Sequence, residues 1–236
     1  MSAAGALLFA RYAYPPNELG YCGPDGAGAL LRAAETDEIA RRARRFDGAW
    51  AYLEFIAASA GLPDPLDVRV VEAYWIGNDL LDAIDPGALL DRLRERFAGQ
   101  IGGTWRASDH PAAHHSFQVF EVYPWAGLLA ATGNPTAVSV LDQCRIRTGT
   151  VLRVDGESAV VRARPLVWRE QTLRRGPERD DVVRWSAGGS ALIAAPSPGD
   201  LVAVHWDWIC DVVSPAQAAR IDALEAVYTG YRVASS

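Results

Sequence analysis

Two side chains in the last ninety or so residues combine types suited to soft-metal chemistry. Cys144 precedes Arg145-Ile146-Arg147, and His205 ends the run Gly199-Asp200-Leu201-Val202-Ala203-Val204-His205. A thiolate with an imidazole suits iron, zinc or copper. Two guanidinium groups next to a cysteine favour the thiolate, so the Cys144 pKa is expected to be lowered. The first half holds a second set of candidate ligands: Cys22, His114 and His115. Adjacent histidines on a strand face opposite sides and cannot easily share one ion; on a loop they can. The carboxylates Glu72, Asp79 and Asp82 follow one another along a helical stretch, but no Glu-x-x-His pair accompanies them, so a di-iron bundle is not expected. They read as a solvated face or as partners for Arg41, Arg42, Arg44 and Arg45. Those four arginines read as a solvated surface or as a docking patch for an acidic partner.

Composition narrows the classes. The chain has 236 residues, 23 basic and 29 acidic, for a net charge of −6. Four arginines do not make a nucleic-acid site in such an acidic chain. Every basic residue is arginine; without lysine there is no Walker A loop and no Schiff-base enzyme. Three sparse cysteines argue against a disulfide scaffold and for a reduced, cytoplasmic setting. No apolar run reaches the roughly 18–20 residues of a membrane helix. The start, MSAAGALLFARYAYPP, lacks the basic leader of a signal peptide.

The elements that must position the candidates change character near residue 143. The expected fold class is α+β: a mainly α-helical domain over 1–142, then a small OB-like β-barrel with a C-terminal helix over 143–236. Tyr14 to Pro24 reads as an ordered loop. One helix is expected over 37–60, with Ile39, Ala43, Phe46, Trp50, Leu53 and Ile56 as its apolar stripe. A second is expected over 65–84, with Val68, Val71, Trp75, Ile76 and Leu80 facing in, and a third over 86–98. Residues 116–123 alternate like a strand, although a helix could also hold them. Later, 147–154 and 158–167 flank the hairpin signal Asp155-Gly156. Short strands follow over 182–185, 190–194 and 201–206. On a continuous strand Trp206 and Trp208 would share one face, and His205 with Asp207 the other. Ser214-Pro215 then starts a helix reaching about 228.

From Cys144 onward the order of motifs resembles the HypC/HupF-type hydrogenase assembly chaperones. It is carried by Cys144, Gly149-Thr150-Val151, Asp155-Gly156, Ala159-Val160-Val161, the Gly199-to-His205 strand and Ser214-Pro215-Ala216-Gln217-Ala218. The resemblance implies an OB-like barrel in a nickel–iron hydrogenase maturation factor. Cys144 and His205 would hold an iron centre carrying cyanide and carbon monoxide, and the partner would be a hydrogenase large subunit or a maturation scaffold protein. Such a factor is not a turnover enzyme. The sequence departs from that family in four ways, one being Trp206-Asp207-Trp208 where small residues are usual after the histidine. Its cysteine is internal, so the amine cannot serve as a ligand. Thr148 stands where proline is usual. The charged stretch Arg174–Asp181 reads as an insertion between strands. Tyr14-Pro15-Pro16-Asn17 through Pro24 is similar to bacterial proteins of unknown function, which implies no activity. The residues leave two other readings open: a metal-dependent enzyme acting on a small molecule at the domain junction, through Cys144, His205 and His114 or His115, and a metal-free interaction module.

Overall fold

The computed structural model describes residues 2–32, 36–99 and 103–229. Helix α1 spans Ala3–Glu18 and runs through the middle of the fold. Its Ala-rich start favours helix, and Ser2 caps it by accepting the Gly5 N–H at 3.2 Å. Apolar residues surround it almost completely: Ala6, Phe9, Ala10, Tyr12 and Ala13 have no exposure. A helix apolar on every side is a buried one. The first part of the loop expected over Tyr14 to Pro24 is therefore the last turn of this helix, with Pro15 and Pro16 inside it, while residues 19–24 form the loop. Proline is tolerated there because its missing N–H deprives a single carbonyl and the helix ends soon after.

Around α1 stand α2 (Gly28–Leu31), α3 (Thr36–Ala43), α4 (Asp47–Ser59), α5 (Val68–Trp75) and α6 (Pro86–Arg96). The expected 37–60 helix is two helices, broken at residues 44–46, yet most of its stripe buries as read: Ile39, Ala43, Phe46, Leu53 and Ile56 are inside, and Trp50 is half-buried. The expected 65–84 helix likewise stops at Trp75. Gly77 follows with φ +94°, and a 3₁₀ turn covers Asp79–Ala83. Val68 opens α5 facing solvent, and Val70 takes the inward place. The stretch at 116–123 is helical, with α7 (His115–Phe117) continuing as a π turn over Gln118–Val122. Helices α8 (Trp125–Thr132) and α9 (Pro135–Cys144) complete this half. Cys144 is the last residue of α9, so it ends a helix and does not start a strand.

The second half has β1 (Arg147–Asp155), β2 (Ser158–Ala163), β3 (Leu166–Arg169), β4 (Thr172–Arg175), β5 (Arg179–Arg184), β6 (Ser186–Ala187), β7 (Ser190–Ala191), β8 (Leu201–His205), β9 (Trp208–Val212) and α10 (Pro215–Ala226). Gly156, at φ +56°, turns β1 into β2, with Asp155 opposite Ser158. Five strands pair in the order β1-β2-β5-β9-β8, and β8 pairs back onto β1. Contact between β5 and β9 rests on one parallel pair, Arg184 opposite Trp208. The stretch 174–181 does not lie wholly between strands; its ends belong to β4 and β5. Ser214 and Gln217 form a capping box that starts α10.

One hydrophobic core crosses the 142/143 boundary. Phe9, Tyr12 and Trp75 of the helical half pack in the same cluster as Ala203, Trp208, Cys210 and Ile221. Across the same contact Arg11 pairs with Asp211 at 3.0 Å. Among the described residues no helix is long and apolar enough to cross a membrane.

Candidate metal centre

Three residues from distant segments converge where α1, α9 and the β8–β9 turn meet. The Cys144 sulfur and one ring nitrogen each of His115 and His205 all lie within 4.8 Å of one another. Among the described residues no other cluster of three such donors is found. Tetrahedral ligands at metal–ligand distances of 2.0–2.3 Å stand about 3.3–3.8 Å apart, so closing on an ion asks for movements of about 1 Å.

His205 is delivered by the turn after β8. Trp206 and Asp207 form that turn, with Trp206 at φ +57°. Positive φ is strained for a bulky residue. It is held there by the Trp206 N–H donating to Gln143 O at 2.8 Å, which fastens the turn to the end of α9 beside Cys144. A continuous strand with Trp206 and Trp208 on one face is therefore not what forms. Trp208 pairs directly opposite His205, and Trp206 packs instead against Tyr21, ring centroids 4.0 Å apart.

The backbone sets the histidine tautomers. His205 Nδ1 lies 2.8 Å from Tyr12 O. That carbonyl has no helical donor, because the residue four later is Pro16 and the residue three later is Pro15. A carbonyl only accepts, so Nδ1 carries the proton and Nε2 presents its lone pair. His205 Nε2 is buried and has no aligned hydrogen-bond partner, with the Cys144 backbone close to the ring. His115 Nε2 lies 2.8 Å from Cys144 O, one of the orphan carbonyls ending α9. His115 therefore presents Nδ1, which the Tyr74 hydroxyl approaches at 3.3 Å. The two imidazole rings meet edge to face at 5.1 Å, and Trp75 packs on both.

Burial governs the proton affinities. It pushes His115 down to about 4 and His205 well below the usual histidine range, the latter helped by neighbouring His115. Neutral imidazoles are the form a metal takes. Burial also raises the Cys144 thiol, with Cys22 adding to the rise. This corrects the expectation that Arg145 and Arg147 would favour the thiolate. Arg145 is 2% exposed and spends its charge on Asp142, at 2.9 Å, and on Glu225. Arg147 is itself buried, and its pKa is lowered.

Of the other candidates, His114 lies beside the cluster but outside it. It caps α7, its Nδ1 accepting the Ser116 N–H at 3.0 Å. Burial pushes its pKa down to about 3. Cys22 is half-buried and lines the same cavity as the three ligands, its thiol pushed up to about 12 by burial. Arg41 and Arg42 both pair with Glu38, Arg44 lies over Trp50 at 5.7 Å, Arg45 is exposed, and none of the four lines the cavity. Glu72 bonds Gln217 at 2.9 Å and Asp82 pairs with Arg220 at 2.9 Å, so these carboxylates hold α10 and do not meet the arginines of α3.

The cavity measures about 110 Å³. Tyr74, Trp75, Tyr123 and Trp125 give it aromatic walls, and the three donors and the first turn of α4 line it too. Sequence reasoning missed Tyr12, Tyr74 and Gln118 as parts of this arrangement. The only available signal was the Pro15-Pro16 pair, which frees a carbonyl if the segment is helical.

No curated protein and no solved structure matches the chain. A family model does match, over residues 1–229, and on that evidence the chain belongs to a family of unknown function, DUF6390.

Proposed function

We propose that the protein binds one transition-metal ion through the Cys144 thiolate, His115 Nδ1 and His205 Nε2, and uses it on a small molecule held in the adjoining cavity. The observation that carries this reading is the convergence of three donor residues within 4.8 Å; one nitrogen of each histidine is bonded to a carbonyl, which leaves the other with a lone pair. Structural zinc sites usually take four protein ligands, whereas reactive sites keep three and leave a position open. One sulfur and two nitrogens suit zinc, iron(II) or copper. A bound ion would supply Lewis acidity to a group entering the cavity. The chain's own residues orient the imidazoles through Tyr12 O and Cys144 O, and keep water out with Trp75 and Tyr74.

A second reading draws on a specific observation: Cys144 and His205, singled out by the likeness to hydrogenase assembly chaperones, share one site. Under it the strand half is an OB-like barrel, iron with cyanide and carbonyl is cargo, and a hydrogenase subunit or scaffold protein receives it. The depth of the donors favours the first reading, because Cys144 and His205 are 9% and 1% exposed and cargo handed to a partner must be reachable.

Anaerobic purification with metal analysis and infrared spectroscopy tests both. The expected result is about one metal ion per chain, falling to under about a tenth in Cys144→Ala and His205→Gln. Carbonyl and cyanide stretches that vanish in Cys144→Ala would favour the cargo reading. A metal-free wild type that also fails to take up zinc, iron(II) or copper would overturn both.

A further inference from the structure

The cavity wall has polar groups besides the metal donors. Asp47, Gly48 and Ala49, the first three residues of α4, line it together with Tyr123. The cap position of this 13-residue helix is Phe46, which offers no side-chain acceptor. The first N–H to find its helical partner is that of Trp50, on Phe46 O at 2.8 Å. The preceding amides therefore have no intrahelical acceptor, and they carry the positive end of the helix dipole. Asp47 does not neutralise this end: its side chain is 78% exposed and pairs with Arg96.

Gln118 supplies an independent sign of a ligand. It is 1% exposed, and neither amide atom has an aligned hydrogen bond, its near polar neighbour being the Tyr123 hydroxyl of the same cradle. A buried amide without a partner is costly and rare. The π turn that carries it sets it beside the first turn of α4. A Cβ placed on Gly48 would stand 3.5 Å from Gln118 Nε2 and 3.4 Å from the Tyr123 hydroxyl. The missing side chain leaves a cradle bounded by helix amides, a carboxamide and a phenol. These groups can all donate, and no cationic side chain is needed among them.

We propose that the small molecule of this site carries a carboxylate, bound by the Gly48 and Ala49 amides, Gln118 Nε2 and the Tyr123 hydroxyl, with its apolar body between Trp75 and Trp125 pointing toward the metal ligands. The orientation toward the ligands rests on the metal-centred reading above; the carboxylate cradle does not need the ion.

Calorimetric titration of the full chain, with and without zinc, tests this. The probes are propionate and benzoate, with propanol and benzyl alcohol as their uncharged counterparts. The wild type is expected to bind at least one carboxylate about tenfold or more tightly than its alcohol. Gly48→Ala meets its neighbours at ordinary contact distances, so it folds while filling the cradle, and Gln118→Leu keeps the volume while removing the amide. Each is expected to weaken carboxylate binding about tenfold or more, with zinc content unchanged and melting temperature equal to or above that of the wild type. Equal binding of acid and alcohol, or an unaltered affinity in Gly48→Ala, overturns the proposal. Zinc uptake without carboxylate binding removes the cradle and leaves the metal centre standing. Carboxylate binding to a chain that takes up no zinc supports the cradle and removes the metal reading.

Discussion

Cys144 holds its proton at neutral pH because burial, with Cys22 nearby, raises its pKa, while His115 and His205 are held neutral by the same burial. Metal uptake at pH 7 is therefore expected to release about one proton per ion, from the thiol alone. Zinc titration in a dilute indicator buffer measures it, and release of none would mean that the thiolate is preformed. The depressed histidines also fix a pH window. Their folded pKa values lie below the unfolded value of about 6.5, so the unfolded chain binds more protons between the two. Their contribution to stability is full above about pH 6.5 and is lost as pH falls through the folded values, about 4 for His115 and about 3 for His114. His114→Asn keeps a good cap for α7 and removes one titrating group. Urea midpoints between pH 7.5 and 5 are expected to fall less steeply for this variant than for the wild type. Parallel profiles would show that His114 titrates alike in both states. None of this follows from residue types: spacing marks Cys144 and His205 as candidates, but the sign of the thiol's shift comes from an arginine already paired with Asp142 and Glu225.

At the scale of the element, α1 positions a metal ligand through what its prolines lack. Pro16 has no N–H for Tyr12 O, so that carbonyl is free to accept from His205. Pro16→Ala supplies the missing donor, and the helical bond then competes for Tyr12 O. The helix is expected to remain, or even to gain stability, while zinc affinity falls about 10–100-fold. Competition with a chelating dye measures this, and an unchanged affinity would show that the carbonyl does not orient the ring. The sequence pattern reveals the inward faces of α3 and α4 but not the break between them. Periodicity runs on through Arg44 and Arg45, and Phe46 leaves the helical path to pack edge-on against Phe9 at 5.2 Å.

At the scale of the molecule, a buried charge network fastens the last helix to both halves. Glu225 has no exposure; it pairs with Arg145 after α9 and with Arg175 of β4, the latter at 2.7 Å. Glu225→Ala leaves two guanidinium groups short of a partner and is expected to cost about 3–5 kcal/mol. Denaturant unfolding checks the figure, and a loss below about 1 kcal/mol would place these arginines in water. Because Arg145 follows Cys144 directly, the same variant is expected to loosen zinc binding.

The sequence by itself determined the α+β class, the switch from helices to strands, the Asp155-Gly156 hairpin and the capped final helix, since each depends on local periodicity and turn chemistry. It also marked Cys144 and His205 by type, and His115 as one of two adjacent alternatives. Only the tertiary structure decided that His115 and not His114 joins them, that Tyr12 and Cys144 carbonyls set both tautomers, and that an uncapped helix faces the same cavity. Those outcomes depend on which distant segments share a core, and chain-distant packing leaves no period in the sequence for a reader to find.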